Sequence, residues 1–331
     1  MNADSDRHTD LDGTLTAMQQ LGVTLADQLV GLESLIDRLM IALLTGGHLL
    51  IEGPPGVAKT RSINRFARLL DMSFVRVQAT PDLLPADITG TDIFQQHGAE
   101  FRFNAGPLFN HIVLVDEVNR APPKVQSALL EAMGEHQIST NGVTRKLREP
   151  FLVAATQNPI EHEGTYPLPE AQLDRFMFFV NIDLPGLEQE RRILDRVLSE
   201  TDPLDNPTEP TAIGNADLIL RARRCVPQVF LSEAVRDYIV RLVGATRGLG
   251  AGGQSAMNIS QAASPRASIN LAVASRARAW LAGREFVTVD DVVELAPDIL
   301  CGRLSLDYRA RAAGVTARQV VQDLLTSTPR L

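Results

Sequence analysis

Cysteine is scarce: Cys225 and Cys301 are the only two in 331 residues. Two cannot make a disulfide framework, and they read as buried thiols in a reducing compartment. Long apolar runs are missing. No window of about 18 residues is apolar and free of charge, so no membrane-spanning helix is expected. The first residues, Met1 to Gly13, are acidic and polar and lack the apolar stretch of a secretory leader, which makes a cytoplasmic chain the expectation. Basic residues are in the minority: 32 Lys and Arg against 40 Asp and Glu give a net charge of −8. A chain that coats nucleic acid is as a rule basic; a local basic patch stays open. The six histidines (8, 48, 97, 111, 136 and 162) show no metal-ligand spacing, and Glu161-His162-Glu163 reads as a loop rather than a ligand set. No internal repeat is found.

What is present is ordinary globular composition, 44% hydrophobic and 22% charged. The length suggests about two domains, and a chain this long buries roughly three quarters of its extended surface without a disulfide or metal staple. Residues 1–14 read as a frayed, disordered tail. From Leu25 to Leu44 apolar residues recur at helical spacing, with Gly46-Gly47 as a stop. Then short apolar runs alternate with helical patterns: His48–Glu52, Phe74–Gln78, Ile112–Asp116, Phe151–Thr156 and Phe178–Ile182. That rhythm predicts an α/β fold with a parallel sheet. Two inserts interrupt it, at 88–106 and 137–147; the second carries Asn141-Gly142, a strong hairpin signal. After Pro185 the pattern turns helical. Asp202–Asn215 reads as a Pro-rich linker and Gly248–Ser264 as a loop. The expected organisation is an α/β core over 15–185 and a smaller all-α domain over 186–331.

Four motifs carry chemistry. GPPGVAKT (Gly53, Pro54, Pro55, Gly56, Val57, Ala58, Lys59, Thr60) lies between a buried strand and a helix. Its glycines let successive N–H groups curl round phosphate oxygens. Lys59 would meet the β- and γ-phosphates and Thr60 a Mg²⁺ ion. Ala58 stands where the pattern has glycine. HIVLVDEVNR (His111–Arg120) ends an apolar run on Asp116 and Glu117, at the sheet edge where ligands sit. Asp116 can hold Mg²⁺ and Glu117 can serve as the base that polarises water. Phosphoryl transfer needs positioning and charge neutralisation more than covalent help. Asn158 ends the next apolar run and can orient that water. Arg175 precedes the fifth run, and SPRAS places Arg266 in the first turn of a helix capped by Ser264. Taken alone, both arginines read as solvated surface residues.

Together the order resembles that of an AAA+ ATPase, more narrowly the MoxR family. The residues that carry the resemblance are EGPPGVAKT, TPDLLPADITGTDIF (80–94), DEVNRAPPKVQSALLEAM (116–133), NPIEHEGTYPLPEAQLDRFMF (158–178) and SPRAS. It covers about residues 20–328. It implies ATP and Mg²⁺ as cofactors, a P-loop core with a helix-2 insert (88–106) and a pre-sensor-1 hairpin (137–147), and an all-α lid. It also implies sensor roles for Asn158 and Arg266 and an arginine finger, Arg175, acting on ATP in a neighbouring subunit. A ring follows, expected to be a hexamer. So does a chaperone-like role in protein-complex maturation or metal-cofactor insertion, beside a separate protein bearing a von Willebrand factor A domain. The alternatives are a nucleic-acid motor and a magnesium-chelatase-like motor subunit. Phe94, Phe101 and Phe103 either pack the first insert or grip a substrate. Arg145-Lys146 is either a solvated pair or a contact for phosphate or an acidic partner.

Overall fold

The computed structural model describes residues 3–54, 56–57, 59–95, 100–158, 164–200, 211–250 and 256–330. The chain divides into two compact units. One, the sheet unit, holds Thr16–Leu168 and Val180–Leu220; the other, the helical unit, holds Met1–Leu15, Pro169–Phe179 and Arg221–Leu331.

The strands, in chain order, are β1 (Leu49–Glu52), β2 (Phe74–Gln78), β3 (Gly90–Gln95), β4 (Glu100–Ala105), β5 (Ile112–Asp116), β6 (Gln137–Thr140), β7 (Val143–Lys146), β8 (Leu152–Gln157), β9 (Phe178–Asn181), β10 (Ile259–Gln261) and β11 (Ser305–Leu306). The central sheet has the order β2-β5-β8-β1-β9. The pairs β2/β5, β5/β8 and β1/β8 are parallel. Every residue of β5 is buried and only the last of β8 is not, as unbroken apolar strands between helix layers should be. This bears out the parallel α/β reading. Because the strands share a direction, Glu52, Gln78, Asp116 and Gln157 come out on one edge of the sheet.

Three sequence expectations are corrected. The stretch read as a tail, 1–14, is helical from Ala3 onward, in a helix running to Gln28. It contains no proline to interrupt the backbone bonds. The helix expected over 25–44 is two helices, Ala3–Gln28 and Glu33–Thr45, broken where Gly31 takes φ +80°. The stop at Gly46 does hold: it caps the second helix in the left-handed conformation, φ 71°. The units also do not divide at 185/186, since residues 169–179 belong with the helical unit and 180–220 with the sheet unit. The Pro-rich stretch 201–210, the turn around His97-Gly98 and Glu161-His162-Glu163 lie outside the described residues.

The helical unit is built from helices Glu233–Ala245, Pro265–Leu281, Val289–Leu300 and Ala317–Ser327. Tyr238, Leu271, Leu295 and Leu324 are fully buried in its core. Each of these helices starts from a Ser or Thr side chain that accepts a backbone N–H, Ser232, Ser264, Thr288 and Thr316 in turn. The unit is not purely α: β10 and β11 form a small antiparallel pair.

Both inserts are hairpins. β3 pairs with β4 and β6 with β7, antiparallel. Asn141 and Gly142 have φ 51° and 77°, the two positive values that a tight primed turn requires. The hairpins are tied together. Asn141 donates to Asp92 Oδ2 at 2.7 Å, and Arg145 reaches Asp92 Oδ1 at 3.4 Å and lies 3.8 Å over the Phe103 ring. Arg145 is therefore neither a solvated charge nor a contact for an outside anion; Lys146 beside it is exposed. The three phenylalanines separate. Phe103 packs on Phe109 with ring centres 5.4 Å apart. Phe94 and Phe101, directly opposite across the hairpin, pack on each other at 5.3 Å and stay exposed.

Candidate nucleotide-binding site

β1 runs into the loop at Gly53. A Cβ there would lie 2.6 Å from the backbone oxygen of Ile182, so only glycine lets the loop pass the chain leaving β9. Gly56 has φ +85°, a conformation glycine adopts without strain. Pro54 and Val57 continue the loop; Pro55 and Ala58 lie outside the described residues. Lys59 and Thr60 open the next helix, Lys59–Leu69. The Lys59 ammonium folds back to donate to Gly53 O at 2.7 Å. Burial pushes its pKa below the ordinary lysine value, against the opposing charges of Asp116 and Glu117. Burial also raises the carboxyl of Glu52, just before the loop.

Asp116, at the end of β5, is buried and is met from three sides. Thr156 of β8 donates to its Oδ1 at 3.0 Å. The Thr60 hydroxyl lies 3.4 Å from Oδ2, and Arg76 of β2 donates to Oδ2 at 2.5 Å. Glu117 sits one residue beyond the strand in the left-handed region, φ 57° and ψ 48°. For a non-glycine residue that costs on the order of 1 kcal/mol and is typical of functional positions. Its N–H is taken by Thr156 Oγ1 at 3.0 Å. Its Oε2 accepts from Gln78 at 3.0 Å and from Arg120 at 3.1 Å. Asn158 follows β8 directly, on the same edge.

These placements bring Lys59, Thr60, Asp116, Glu117 and Asn158 together in the sheet unit. Arg175 and Arg266 belong to the helical unit. Arg175 is exposed; Arg266 is half exposed and lies 3.9 Å from Asp174. The motifs did not point to Arg76, Gln78, Arg120 or Thr156. A polar residue at the end of any strand flanking β5 is the signal that would have found Gln78 and Thr156, because neighbouring parallel strands end side by side.

Beside the loop lies a cavity of about 700 Å³. Gly56 and Val57 line it on the loop side, and Leu29, Ile182, Leu184 and Ile193 give it apolar walls. Among the described residues, no cluster of three or more His, Cys, Asp or Glu side chains stands ready for a metal ion. What the site offers is a hydroxyl and a carboxylate oxygen facing each other, the donor type that hard divalent cations prefer. Arg76, which occupies Oδ2, has a side chain 52% exposed and borders solvent. The residues therefore fit Mg²⁺ accompanied by phosphate oxygens.

A glycine-turned loop at the edge of a parallel sheet, backed by adjacent carboxylates and followed by a helical unit, defines a P-loop nucleotide-binding protein. Residues 48–178 match the ATPase family associated with various cellular activities (AAA), and residues 255–324 match the AAA lid domain. Chaperone MoxR1 of Mycobacterium tuberculosis is 44% identical over 90% of this chain and 78% of its own. Protein MoxR of Methylorubrum extorquens is 30% identical over 91% and 90%. The crystal structure of a candidate ATPase from Cytophaga hutchinsonii superposes with a TM-score of 0.87 at 40% identity, covering 98% of this chain and 99% of that one. The chain belongs to the MoxR family of AAA ATPases.

Proposed function

We propose that this chain hydrolyses ATP with Mg²⁺, as one subunit of a ring, expected to be a hexamer, that works as a chaperone-like motor on a protein client. The observation that carries the reading is the convergence of Lys59, Thr60, Asp116 and Glu117 on one sheet edge beside an apolar cavity. Adenine takes the cavity, and the loop N–H groups and Lys59 take the phosphates. Thr60 and Asp116 would hold Mg²⁺, which would supply charge neutralisation to the phosphates. Glu117 accepts the proton of the attacking water, and Asn158 orients that water. Arg175 reaches ATP held by the neighbouring subunit, and Arg266 reads the nucleotide of its own. General-base catalysis contributes about 10²- to 10⁴-fold, and the finger of related GTPases more.

The exposed Phe94–Phe101 pair is the surface assigned to a protein client, in complex maturation or in metal-cofactor insertion beside a separate von Willebrand factor A-domain protein. The charge of −8 supports a protein client over nucleic acid. Among the described residues, no helix is long and apolar enough to cross a membrane, which accords with a cytoplasmic site of action.

The test is ATP turnover by the purified chain with Mg²⁺ and with a chelator, and of Arg175→Ala mixed with Lys59→Ala. Mg²⁺-dependent turnover is expected. Each variant alone should be slow, and the mixture should recover activity because one brings an intact pocket and the other an intact finger. No turnover with Mg²⁺ overturns the enzymatic reading. No recovery at any ratio, with subunit exchange verified, overturns action across subunits. Turnover stimulated by DNA, with submicromolar DNA binding at about 150 mM salt, would favour a nucleic-acid motor instead.

A further inference from the structure

Arg303 is a fully engaged charge in the helical unit. Its side chain is 2% exposed, and a guanidinium has five N–H donors in a fixed fork. All five are used. Nε donates to Asp174 Oδ1 at 2.9 Å. Nη1 serves Met177 O at 3.2 Å and Ile299 O. Nη2 serves Asp174 O at 3.3 Å and Phe176 O. The ring of Phe179 lies 5.2 Å below. Gly302 makes this approach possible, since a Cβ there would lie 1.9 Å from the same ring. Burial pushes the Arg303 pKa down to about 10, with Asp174 opposing the shift and Arg266 adding to it.

Three of the five acceptors are backbone carbonyls on either side of Arg175, at 174, 176 and 177. The backbone of Arg175 is also held in a tight turn, its N–H donating to Gln172 O at 3.1 Å. The segment that bears Arg175 is thus a fixed base for a long, exposed side chain.

Asp174 has a second oxygen with different neighbours. Its Oδ2 accepts from the Ser264 hydroxyl at 2.8 Å and lies 3.9 Å from Arg266 Nη1. Ser264 is also the residue whose oxygen receives the Arg266 N–H, at 3.1 Å. One carboxylate therefore faces a buried, fully paired arginine through one oxygen and a half-exposed arginine through the other.

We propose that Asp174 is a positioning residue that couples the two arginines of the reaction: through Oδ1 and Arg303 it fixes the base of Arg175, and through Oδ2 it answers to Arg266. This rests on the assignment above of Arg266 to the subunit's own nucleotide and of Arg175 to its neighbour's. A bound γ-phosphate competes with Asp174 for the Arg266 guanidinium. When Arg266 is drawn to phosphate, Oδ2 keeps Ser264 and loses a cation. The balance of pulls on the residue next to Arg175 changes with it. The aim of the finger toward the next subunit then depends on what its own subunit holds.

Asp174→Asn keeps the shape and removes the charge. A finger base misplaced by about 1 Å costs up to about 10²-fold, so turnover should fall between about 10- and 100-fold while binding of a fluorescent ATP analogue is largely kept. Three readouts separate coupling from mere support. Adding Lys59→Ala subunits should restore turnover to Asp174→Asn, as to Arg175→Ala. The Asp174→Asn, Arg175→Ala double variant should be no slower than Arg175→Ala alone. In a Glu117→Gln background, ATP should change hydrogen exchange across 170–177 relative to ADP, and Arg266→Ala should abolish that change.

Rescue of Arg175→Ala but not of Asp174→Asn overturns the coupling alone. Additive loss in the double variant does the same, as does an exchange response that survives Arg266→Ala. Failure to rescue Arg175→Ala overturns action across subunits, and the coupling with it. Should Asp174→Asn fail to fold, Arg303→Lys repeats the test, since an ammonium has three donors for five acceptors. A folded Arg303→Lys with wild-type turnover would also overturn the proposal.

Discussion

The phosphate-loop site and the Arg303 junction both gather opposite charges, yet they hold them differently. In the sheet unit, Asp116 and Glu117 are paired to Arg76 and Arg120, whose side chains are 52% and 40% exposed. In the helical unit, Arg303 is buried and every donor has an acceptor. Partners at the rim have solvent to turn to; the buried partners have none. The contrast separates charge kept available for chemistry from charge used to hold shape. It also predicts opposite phenotypes, with Glu117 variants losing rate and keeping stability, and loss of the Arg303 guanidinium costing stability.

The largest effect should come from Glu117→Gln. It keeps the size and the left-handed backbone but cannot take a proton, so ATP turnover should fall about 10²- to 10⁴-fold. Binding of the nucleotide and the thermal midpoint should be little changed. A midpoint falling in step with rate would place Glu117 with the structural charges and break the comparison.

Next comes Arg303→Leu. Removing one partner of a buried ion pair typically costs about 3–5 kcal/mol, and here four carbonyl contacts go with it. Denaturant unfolding should report a loss of that size. A loss under about 1 kcal/mol, within the range of exposed ion pairs, would mean the junction is no firmer than the rim of the phosphate site.

Asp291 sharpens the same point through pH. Burial by itself would raise its carboxyl, but hydrogen bonds from Arg284 and Thr288, with the Arg284 charge, outweigh that and leave it below the ordinary value. The Arg284 contacts are 2.6 and 2.8 Å. The unfolded chain therefore binds the proton more tightly. This stabilisation is fully present above the unfolded value near 3.9 and is lost as pH falls below it through the lower folded value. Asp291→Asn should cost about 2 kcal/mol at neutral pH and flatten the acid limb of the stability curve. An unchanged acid limb would exclude Asp291 as its source.

The smallest effect concerns Gln78, which donates to the carboxylate read as the base. Releasing that oxygen removes about 1 kcal/mol of stabilisation from the charged form, so Gln78→Ala should change basal turnover by only a few-fold, with stability unmoved. A loss as large as that of Glu117→Gln would make Gln78 part of the catalytic set rather than a rim partner.

The phosphate loop, the strand end at Asp116 and the helix start at Ser264 were legible because each is a local pattern: glycines at a turn, an apolar run ending in acid, a cap before proline. So was the turn at Asn141-Gly142. Arg303 was not legible. It stands 129 residues from Asp174, in a stretch with no motif, and only folding brings them together. Gln78 was hidden for a related reason, since its position opposite Asp116 follows from strand order, which apolar runs do not specify. The expected break at 185/186 failed because the chain enters the helical unit at Pro169, returns at Val180 and leaves again after Leu220. Composition averages over such crossings. The helix over Ala3–Gln28 was missed because its polar first half shows no apolar stripe; the buried Met18, Leu21 and Leu25 lie in its second half.

The tie between the two hairpins has a mechanical meaning. β4 leads through a short turn into β5, and β7 leads into β8, the neighbouring strand that shares Asp116 through Thr156. Each hairpin alone is a cantilever held at its root. Joined by Asp92 of one with Asn141 and Arg145 of the other, they form a braced frame standing on two adjacent strands. A load at Phe94 and Phe101 would then be shared between both roots instead of bending one ribbon. Arg145→Ala would remove one of the two side chains that hold Asp92 and leave the Asn141 bond as the remaining tie.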